Sequence, residues 1–187
     1  RRKHTALVRL FSRHAIDFDL GDELILRDLG GVENTKLTVG KARYDVVVLP
    51  DTLDNVLAPT LGRLAAFAKA GGKILSLRND PPKYVNGRLN AQPWPFDVEV
   101  VDEARLFARL RELVPPHLSV EGGGGGAMPE TVYHLRRQID AGSAVHFFAN
   151  PFTTDTTLSV TLEGAALTEL DTATGTASAL TSEKAVG

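Results

Sequence analysis

The amino-acid sequence predicts a mixed α/β domain with a parallel sheet and flanking helices, followed by an antiparallel, β-rich segment. Residues 44–49 contain four successive apolar residues, which is typical of a parallel strand covered by helices on both faces. Residues 73–77 predict a second strand, and residues 59–68 predict a helix that ends at Gly71 and Gly72 and has a buried stripe of Leu61, Leu64, Ala65 and Ala68. A strand, a helix and a strand in this order predict a right-handed β-α-β unit, and hence a parallel sheet.

The residues before this unit predict one helix and two short strands. Apolar side chains on one face indicate an opening amphipathic helix: Leu7, Val8, Leu10, Phe11 and Ala15. Residues 16–20 alternate apolar and acidic side chains, which predicts a short, half-exposed strand. A polar loop with Gly30 and Gly31 is expected next, and residues 36–39 predict a further strand before a turn at Gly40.

The residues after the β-α-β unit predict an irregular excursion, a strand and a helix. Residues 78–96 contain four of the ten prolines and are expected to lack regular structure. Residues 98–101 predict a strand, and Asp102 is placed to cap the helix that follows. The apolar positions of that helix have helical spacing: Leu106, Phe107, Leu110, Leu113 and Val114. Pro115 and Pro116 end it.

The last third of the sequence predicts a flexible connection and antiparallel hairpins. Residues 122–126 are five consecutive glycines, either natural or an engineered joint, with no side chains to pack. The strand-like segments beyond them are residues 131–139, 144–149, 156–162, 167–170 and 177–180. We therefore predict an α/β domain at residues 1–121, a glycine-rich linker at residues 122–130 and a β-hairpin or β-sandwich segment at residues 131–187.

Composition argues against several classes of partner. The 187 residues are 43% hydrophobic and 24% charged, which is typical of a globular protein. A formal net charge of −2, without a basic run interleaved with aromatic residues, argues against nucleic acid. No apolar stretch approaches the ~20 residues that a helix needs to cross a bilayer, so no membrane partner is expected.

Candidate binding residues lie where the two predicted parallel strands end, because ligands of open α/β sheets bind beyond the carboxyl ends of the strands. Asp51 follows the first strand, and Arg78 and Asp80 follow the second. An arginine between carboxylates has the chemistry to hold a polar substrate. A surface ion pair in a loop is the simpler interpretation, and we favour it.

Trp94 is the best single candidate for a carbohydrate contact. It is the only tryptophan, and Pro93 and Pro95 stiffen the loop on either side of it. An indole ring stacks well on the face of a sugar, although a loop tryptophan more often inserts into the core of its own domain. Trp94, Arg78 and Asp80 are therefore the candidate carbohydrate-binding residues.

The sequence contains no recognisable catalytic or cofactor-binding motif. It has no cysteine and no G-x-S-x-G serine elbow, and its glycine pairs lack the spacing of a phosphate-binding loop. His134 and His146 are the histidines expected to meet, across a hairpin. A facing pair without a third ligand favours a structural role over a metal site. We predict no catalytic residue, no metal and no cofactor.

Two parts of the chain resemble a known family. Residues 44–77, YDVVVLPDTLDNVLAPTLGRLAAFAKAGGKILSL, resemble the flavodoxin-like, glutamine-amidotransferase-like domain attached to several glycoside hydrolases. The shared pattern is a strand ending in Leu-Pro, a helix of the type TLxxLxxFxxAGG and a second strand. The segments VYHLRRQIDAGSAVHFFANPF and LTELDTATGTASAL are similar to the β-rich region that follows in alpha-L-rhamnosidase-like enzymes of glycoside hydrolase family 106. The strand-helix-strand part also resembles the trimerisation domain of the family 42 beta-galactosidases.

The resemblance implies a parent enzyme that hydrolyses terminal rhamnose or a similar sugar with two carboxylates. Those carboxylates belong to a barrel domain expected before Arg1, and none maps to a numbered position here. The implied role of this chain is a non-catalytic accessory region that braces the barrel or shapes its substrate cleft, in a periplasmic or secreted parent. The alternative is an independent carbohydrate-binding or oligomerisation module.

A flavodoxin-like fold also implies a central strand before the first helix, whereas this sequence begins with the helix. Without that strand, residues 44–49 are left with unpaired backbone groups, which is costly. We expect a substitute strand, or a homo-oligomer formed through the unpaired strand edge.

Overall fold

The computed structural model describes residues 2–121, 127–162, 164 and 166–180. Contacts divide the chain into two compact units. Unit 1 comprises Arg1–Phe11 and Asp17–Pro115, and unit 2 comprises Ser12–Ile16 and Pro116–Gly187. The five glycines of the predicted linker lie outside the described residues.

Unit 1 is a mixed α/β structure. Its elements, in chain order, are α1 (Arg2–Arg13, whose last two residues belong to unit 2), α2 (Glu23–Leu29), β1 (Gly30–Glu33), β2 (Lys36–Val39), β3 (Ala42–Tyr44), β4 (Val46–Leu49), β5 (Asn55–Val56), α3 (Ala58–Lys69), β6 (Lys73–Ser76), β7 (Tyr84–Val85), β8 (Arg88–Leu89), β9 (Glu99–Val100) and α4 (Glu103–Leu113). These bounds confirm the predicted opening helix and the predicted strands near residues 36–39, 44–49, 73–77 and 98–101.

A parallel sheet with the strand order β4-β6-β9 forms the centre of unit 1. Val46 lies opposite Lys73, and Leu75 lies opposite Glu99, in parallel register throughout. Helix α3 connects β4 to β6, with proline in its first turn. The predicted β-α-β unit and parallel sheet are confirmed. The valines of β4 are half-buried rather than fully covered, because β4 lies at the edge of the sheet.

Helix α3 packs on the sheet through one aromatic side chain that the sequence pattern did not single out. Phe67 is completely buried and contacts the core formed by Leu37, Leu49, Leu64 and Ile74. The predicted stripe correctly included Leu64 but omitted Phe67. The ring of Phe67 occupies the space that a Cβ atom would need at Gly72. The glycine stop therefore ends the helix and also admits the aromatic ring.

Helix α4 confirms its prediction closely. The Asp102 carboxylate accepts a hydrogen bond from the backbone N–H of Arg105 at 2.8 Å, which satisfies an otherwise free amide of the first turn. Leu106, Phe107 and Leu110 are its buried residues. Phe107 meets Phe11 of α1 in an edge-to-face contact, with ring centroids 5.3 Å apart.

The predicted strand at residues 16–20 is wrong, since the structure has no strand there. Period-two alternation produces a strand only where a neighbouring strand supplies backbone partners. Side chains hold this segment instead. Phe18 packs on Phe11 with ring centroids 5.1 Å apart, and the Tyr44 hydroxyl donates a hydrogen bond to the Asp19 carboxylate at 2.6 Å.

The expected polar loop around Gly30 and Gly31 is also wrong. Helix α2 precedes it, and the Asp22 carboxylate caps that helix by accepting from the N–H groups of Leu24 and Ile25. Both glycines then pair in β1, which forms an antiparallel three-stranded sheet with β2 and β3. Helix α2 spans only seven residues, which is too short for its apolar residues to show a helical period, and none of them is buried.

The excursion at residues 78–96 contains regular structure that was not predicted. β7 and β8 form a hairpin through Asn86 and Gly87, with φ angles of 52° and 73°. An Asn-Gly pair with two positive φ angles is the preferred two-residue hairpin turn, so Asn86-Gly87 is a local signal for this hairpin. β7 also pairs in parallel with β5.

Unit 2 is built from antiparallel pairs. Its strands are β10 (Leu118–Glu121), β11 (Tyr133–Gln138), β12 (Ala144–Ala149), β13 (Ser159–Leu162), β14 (Thr168–Leu170) and β15 (Ala177–Ala179). The predicted hairpins β11-β12 and β14-β15 are confirmed. β13 pairs instead with β10, a strand that was not predicted. The core contains Leu118, Val120, Met128 and Val132.

Within the described residues, no helix combines the length and the apolar character that crossing a membrane requires.

Replacing Gly72 by alanine is expected to destabilise unit 1 by about 1–3 kcal/mol, because the new methyl group overlaps the buried ring of Phe67. Gly62→Ala is the matched control, since Gly62 is exposed in α3 with open space around it. That change is expected to stabilise the protein by about 0.5–1 kcal/mol. Urea denaturation measures both. Equal effects of the two substitutions would contradict the close packing of α3 on β6.

Tyr44 is expected to ionise late. Burial is the largest cause and the hydrogen bond to Asp19 the second, and together they raise the pKa of Tyr44 from 10.0 to about 12. A raised pKa means that the folded state holds the proton more tightly, so this contribution to stability is complete below pH 10 and is lost as the pH rises through 12. Absorbance titration of tyrosinate, with Tyr44→Phe to identify the signal, measures it. Asp19→Asn should lower the pKa of Tyr44, and a Tyr44 signal with a midpoint at 10 would refute the contact.

Candidate functional site

The carboxyl ends of β4 and β6 meet at one edge of the parallel sheet. The N–H of Leu77 donates to the carbonyl of Leu49 at 2.9 Å and extends the pairing beyond the last strand residue. Ser76 is fully buried, and its hydroxyl donates to the Arg78 carbonyl at 2.8 Å while accepting from the Arg78 N–H at 3.3 Å. Because the Ser76 hydroxyl hydrogen-bonds to the backbone two residues later, it fixes the direction in which the chain leaves β6.

Arg78 binds the backbone of the protein itself. Its guanidinium donates to the carbonyl oxygen of Leu53, in the loop after β4, and to that of Asp80 at 2.7 Å. The Asp54 carboxylate lies 3.5 Å from it, and the Arg78 side chain is only 17% exposed. Arg78 therefore ties the two loops at this edge together.

The three sequence-predicted carbohydrate-binding residues lie in unit 1 but form no common cluster. Asp80 is exposed and contributes its backbone carbonyl to Arg78. Trp94 is half-buried, packs against the hydrophobic core and lies 5.5 Å from Phe96 between ring centroids. Among the described residues, no hydrogen bond or ring contact joins Trp94 to Arg78 or Asp80.

The indole N–H of Trp94 is buried without a hydrogen-bond partner among the described residues. Leaving such a donor unpaired is costly, so the packing of the ring on the core has to offset that cost. The ring therefore contributes to the core of unit 1, and only its exposed part is open to a sugar.

His134 and His146 meet in unit 2, as the sequence predicted. Nε2 of His134 lies 3.0 Å from Nδ1 of His146, and the two rings stack with centroids 5.2 Å apart. Phe148 packs against His134, with ring centroids 4.9 Å apart. Within the part of the chain that the structure describes, no three histidine, aspartate or glutamate side chains are grouped to hold a metal ion.

An open cavity of about 570 Å³ lies at the opposite, amino-terminal end of the sheet, and no pattern in the sequence indicates it. Its charged lining residues are Lys69, Lys73, Asp97 and Glu99. Arg109 donates to both oxygens of Glu99, at 2.7 and 3.0 Å, and this hydrogen bond is the main reason why the pKa of Glu99 is lowered. Of the two carboxylates that line the cavity, Glu99 is therefore held in an ion pair with Arg109.

Comparison of the chain with protein-family models, with curated proteins and with solved structures finds no match.

Removing the Arg78 guanidinium is expected to cost stability. Arg78→Met keeps the side-chain stem but leaves the two loop carbonyls without their charged donor, a loss of about 1.5–3 kcal/mol in the free energy of unfolding. Asp80→Asn retains the backbone carbonyl that Arg78 uses and should stay within ~0.5 kcal/mol of the parent. Thermal and urea unfolding measure both. A fully stable Arg78→Met variant would mean that the arginine is free for a ligand.

Proposed function

We propose that this chain is a non-catalytic accessory region of a rhamnosidase-like glycoside hydrolase, and that it supports the catalytic barrel or the rim of its substrate cleft. One observation carries the proposal. At the edge of the sheet where α/β domains bind ligands, the guanidinium of Arg78 is bound to the carbonyls of Leu53 and Asp80. An arginine that hydrogen-bonds to loop carbonyls makes the loops rigid, and rigid loops are expected of a surface that supports another domain.

The resemblance in sequence adds to this proposal. Residues 44–77, which resemble the domain attached to glycoside hydrolases, form β4, α3 and β6 of the parallel sheet. The finer proposal is a flavodoxin-like arrangement, in which α1 and α4 lie on the same side of the sheet. The contact between Phe11 and Phe107 supports it. The partner under this proposal is a catalytic domain encoded before Arg1.

A second role, carbohydrate contact, is proposed only for Trp94. Its exposed part is presented by the proline-stiffened loop, while the remainder packs on the core and holds the ring in place. A fixed aromatic platform costs little conformational entropy on binding a sugar. Arg78 is left out of this role, because its Nε and Nη1 atoms donate to backbone carbonyls and its side chain is only 17% exposed.

The accessory role predicts no hydrolysis of aryl α-L-rhamnosides by residues 1–187. A longer polypeptide that includes the preceding catalytic domain should release the aryl alcohol. The Arg78→Met substitution in that polypeptide should lower its melting temperature and leave kcat within about twofold, since Arg78 does not touch the reacting atoms. Turnover by residues 1–187 that survives repurification would overturn the proposal, as would a reading frame without a glycosidase barrel.

The carbohydrate contact is tested separately by titrating rhamnose-containing oligosaccharides into the chain while tryptophan fluorescence is recorded. We expect the sugar to quench the fluorescence of Trp94 saturably. In a parallel calorimetric titration, Trp94→Phe should abolish binding, while Arg78→Lys and Asp80→Asn should leave binding unchanged. Phe at this position keeps the core contact and removes most of the stacking surface. Unchanged calorimetric binding by Trp94→Phe would exclude Trp94 from the contact.

A further inference from the structure

The open cavity at the amino-terminal end of the sheet is lined by both apolar and charged side chains. Its lining residues all fall within residues 65–74 and 95–99 of unit 1. Phe96 belongs to the apolar part, and Lys69 and Lys73 belong to the charged part. A volume of about 570 Å³ lies within the range of ~300–1,000 Å³ that is typical of small-molecule sites. The cavity therefore has the size and the lining of a site for a ligand that is part apolar and part charged.

Positive charge predominates among the lining groups that are not already bound within the protein. Glu99 is held by Arg109, which donates to both of its oxygens. Among the described residues, Lys69, Lys73 and Asp97 form no ion pair. Two ammonium groups thus stand against one carboxylate. An anionic group is the ligand chemistry that balances this excess.

The end of α3 brings the two lysines to the same cavity. Lys69 lies in the last turn of the helix, Gly71 turns the chain with a φ angle of 94°, and Lys73 is the first residue of β6. The hydrogen bond from Arg109 is the largest cause of the lowered pKa of Glu99, and the charge of Lys73 is a smaller one. The Lys73 ammonium group therefore lies close enough to another lining residue to interact with it.

The carbonyl groups at the end of α3 do not cancel this positive charge. A helix carries partial negative charge on its last carbonyls where they lack hydrogen-bond donors. Here the Phe67 carbonyl accepts from the N–H groups of Ala70 and Gly72, and the Ala68 carbonyl accepts from that of Gly71. These carbonyls are satisfied within the protein, so an anion beside the lysines meets little opposing field from them.

Phe96 supplies a fixed aromatic ring at the cavity. It is half-buried and packs against the core of unit 1, and the ring of Trp94 lies 5.5 Å from it between centroids. A ring held in this way offers a flat apolar face at little cost in conformational entropy. A sugar ring has a matching face of C–H groups. The hydroxyl groups at the edge of a sugar find an acceptor in Asp97 and donors in the lysines.

We propose that the cavity binds an acidic saccharide, whose carboxylate or sulfate group is held by Lys69 and Lys73 and whose ring lies against Phe96. A neutral sugar leaves the two ammonium groups unbalanced, and a simple anion leaves the aromatic ring uncovered. This inference rests on the proposed carbohydrate contact, since Trp94 and Phe96 are neighbouring rings of one loop, and it names the class of sugar for that contact.

Calorimetric titration of trisaccharides into the chain at low salt tests the charge of the ligand. The probes are a galacturonate trisaccharide, its uncharged methyl ester and a sulfated galactose trisaccharide. We expect the ester to bind at least ~10-fold more weakly than the galacturonate, because it cannot accept a charge-assisted hydrogen bond from lysine. Comparison with the sulfated trisaccharide identifies which anionic group binds more tightly. Acetate, which has the charge without the sugar, should compete at least ~10-fold more weakly than the galacturonate.

A double substitution tests the two lysines. Lys69→Gln with Lys73→Gln should weaken galacturonate binding at least ~10-fold. Lys41→Gln with Lys83→Gln is the matched control, because it removes the same charge from exposed positions that do not line the cavity, and it should leave binding within about twofold. The fluorescence of Trp94, the only tryptophan, should change on binding, because its ring lies beside Phe96. This signal reports the location of the ligand without any substitution in the core.

The possible results separate this inference from the proposals on which it rests. Equal binding of the acid and its ester overturns the anionic site, and the Trp94 contact survives that result if Trp94→Phe abolishes both. Galacturonate binding that requires the lysines but not Trp94 supports the cavity site and excludes the Trp94 contact. Acetate that competes as well as the galacturonate overturns the saccharide. Absence of binding by every trisaccharide overturns the inference, as does loss of binding in the longer polypeptide, because another domain then occupies the cavity.

Discussion

Gly72 has no side chain, and the ring of Phe67 occupies the space where one would stand. The N–H groups of Ala70 and Gly72 both donate to the carbonyl of Phe67, so helix α3 closes directly above the first residue of β6. This close approach sets the distance between helix and sheet. It also brings Leu64 and Phe67 onto Ile74 and Leu49, and the core of unit 1 forms around these side chains.

The register of the parallel sheet follows from that junction. Val46 lies opposite Lys73, so β4 and β6 end together, and Leu77 can donate to Leu49. The chain then leaves both strands at the same level. This is why one guanidinium, that of Arg78, reaches the loop after β4 as well as its own loop. A position that holds ligands in many α/β domains is used here to join two loops.

Unit 2 is stabilised differently. Its core is small, and many of its strand residues are exposed. Cross-strand contacts such as the one between His134 and His146 therefore contribute a larger share of its stability than they would in a layered domain. The pairing of β10 with β13 joins segments that are far apart in sequence. Met128, a core residue of this unit, also donates its backbone N–H to the carbonyl of Arg13.

The sequence by itself determined the elements whose signals are local. The four-residue apolar run of β4, the glycines after α3 and the Asp102 cap each act within a few residues, and the β-α-β unit and α4 were predicted from them. The Asn86-Gly87 turn belongs to the same class, because two positive φ angles are a local requirement that the sequence displays.

Tertiary structure decided what depends on a neighbour. Residues 16–20 alternate as a strand does, yet no strand among the described residues pairs with them, and side-chain contacts hold Phe18 and Asp19 instead. β13 pairs with β10, which is distant in sequence. Arg78 forms the ion pair that its sequence context favoured, with Asp54, but it also donates to two backbone carbonyls that the sequence did not indicate. Hydrogen-bond partners are set by distance in space, and a single sequence records only order along the chain.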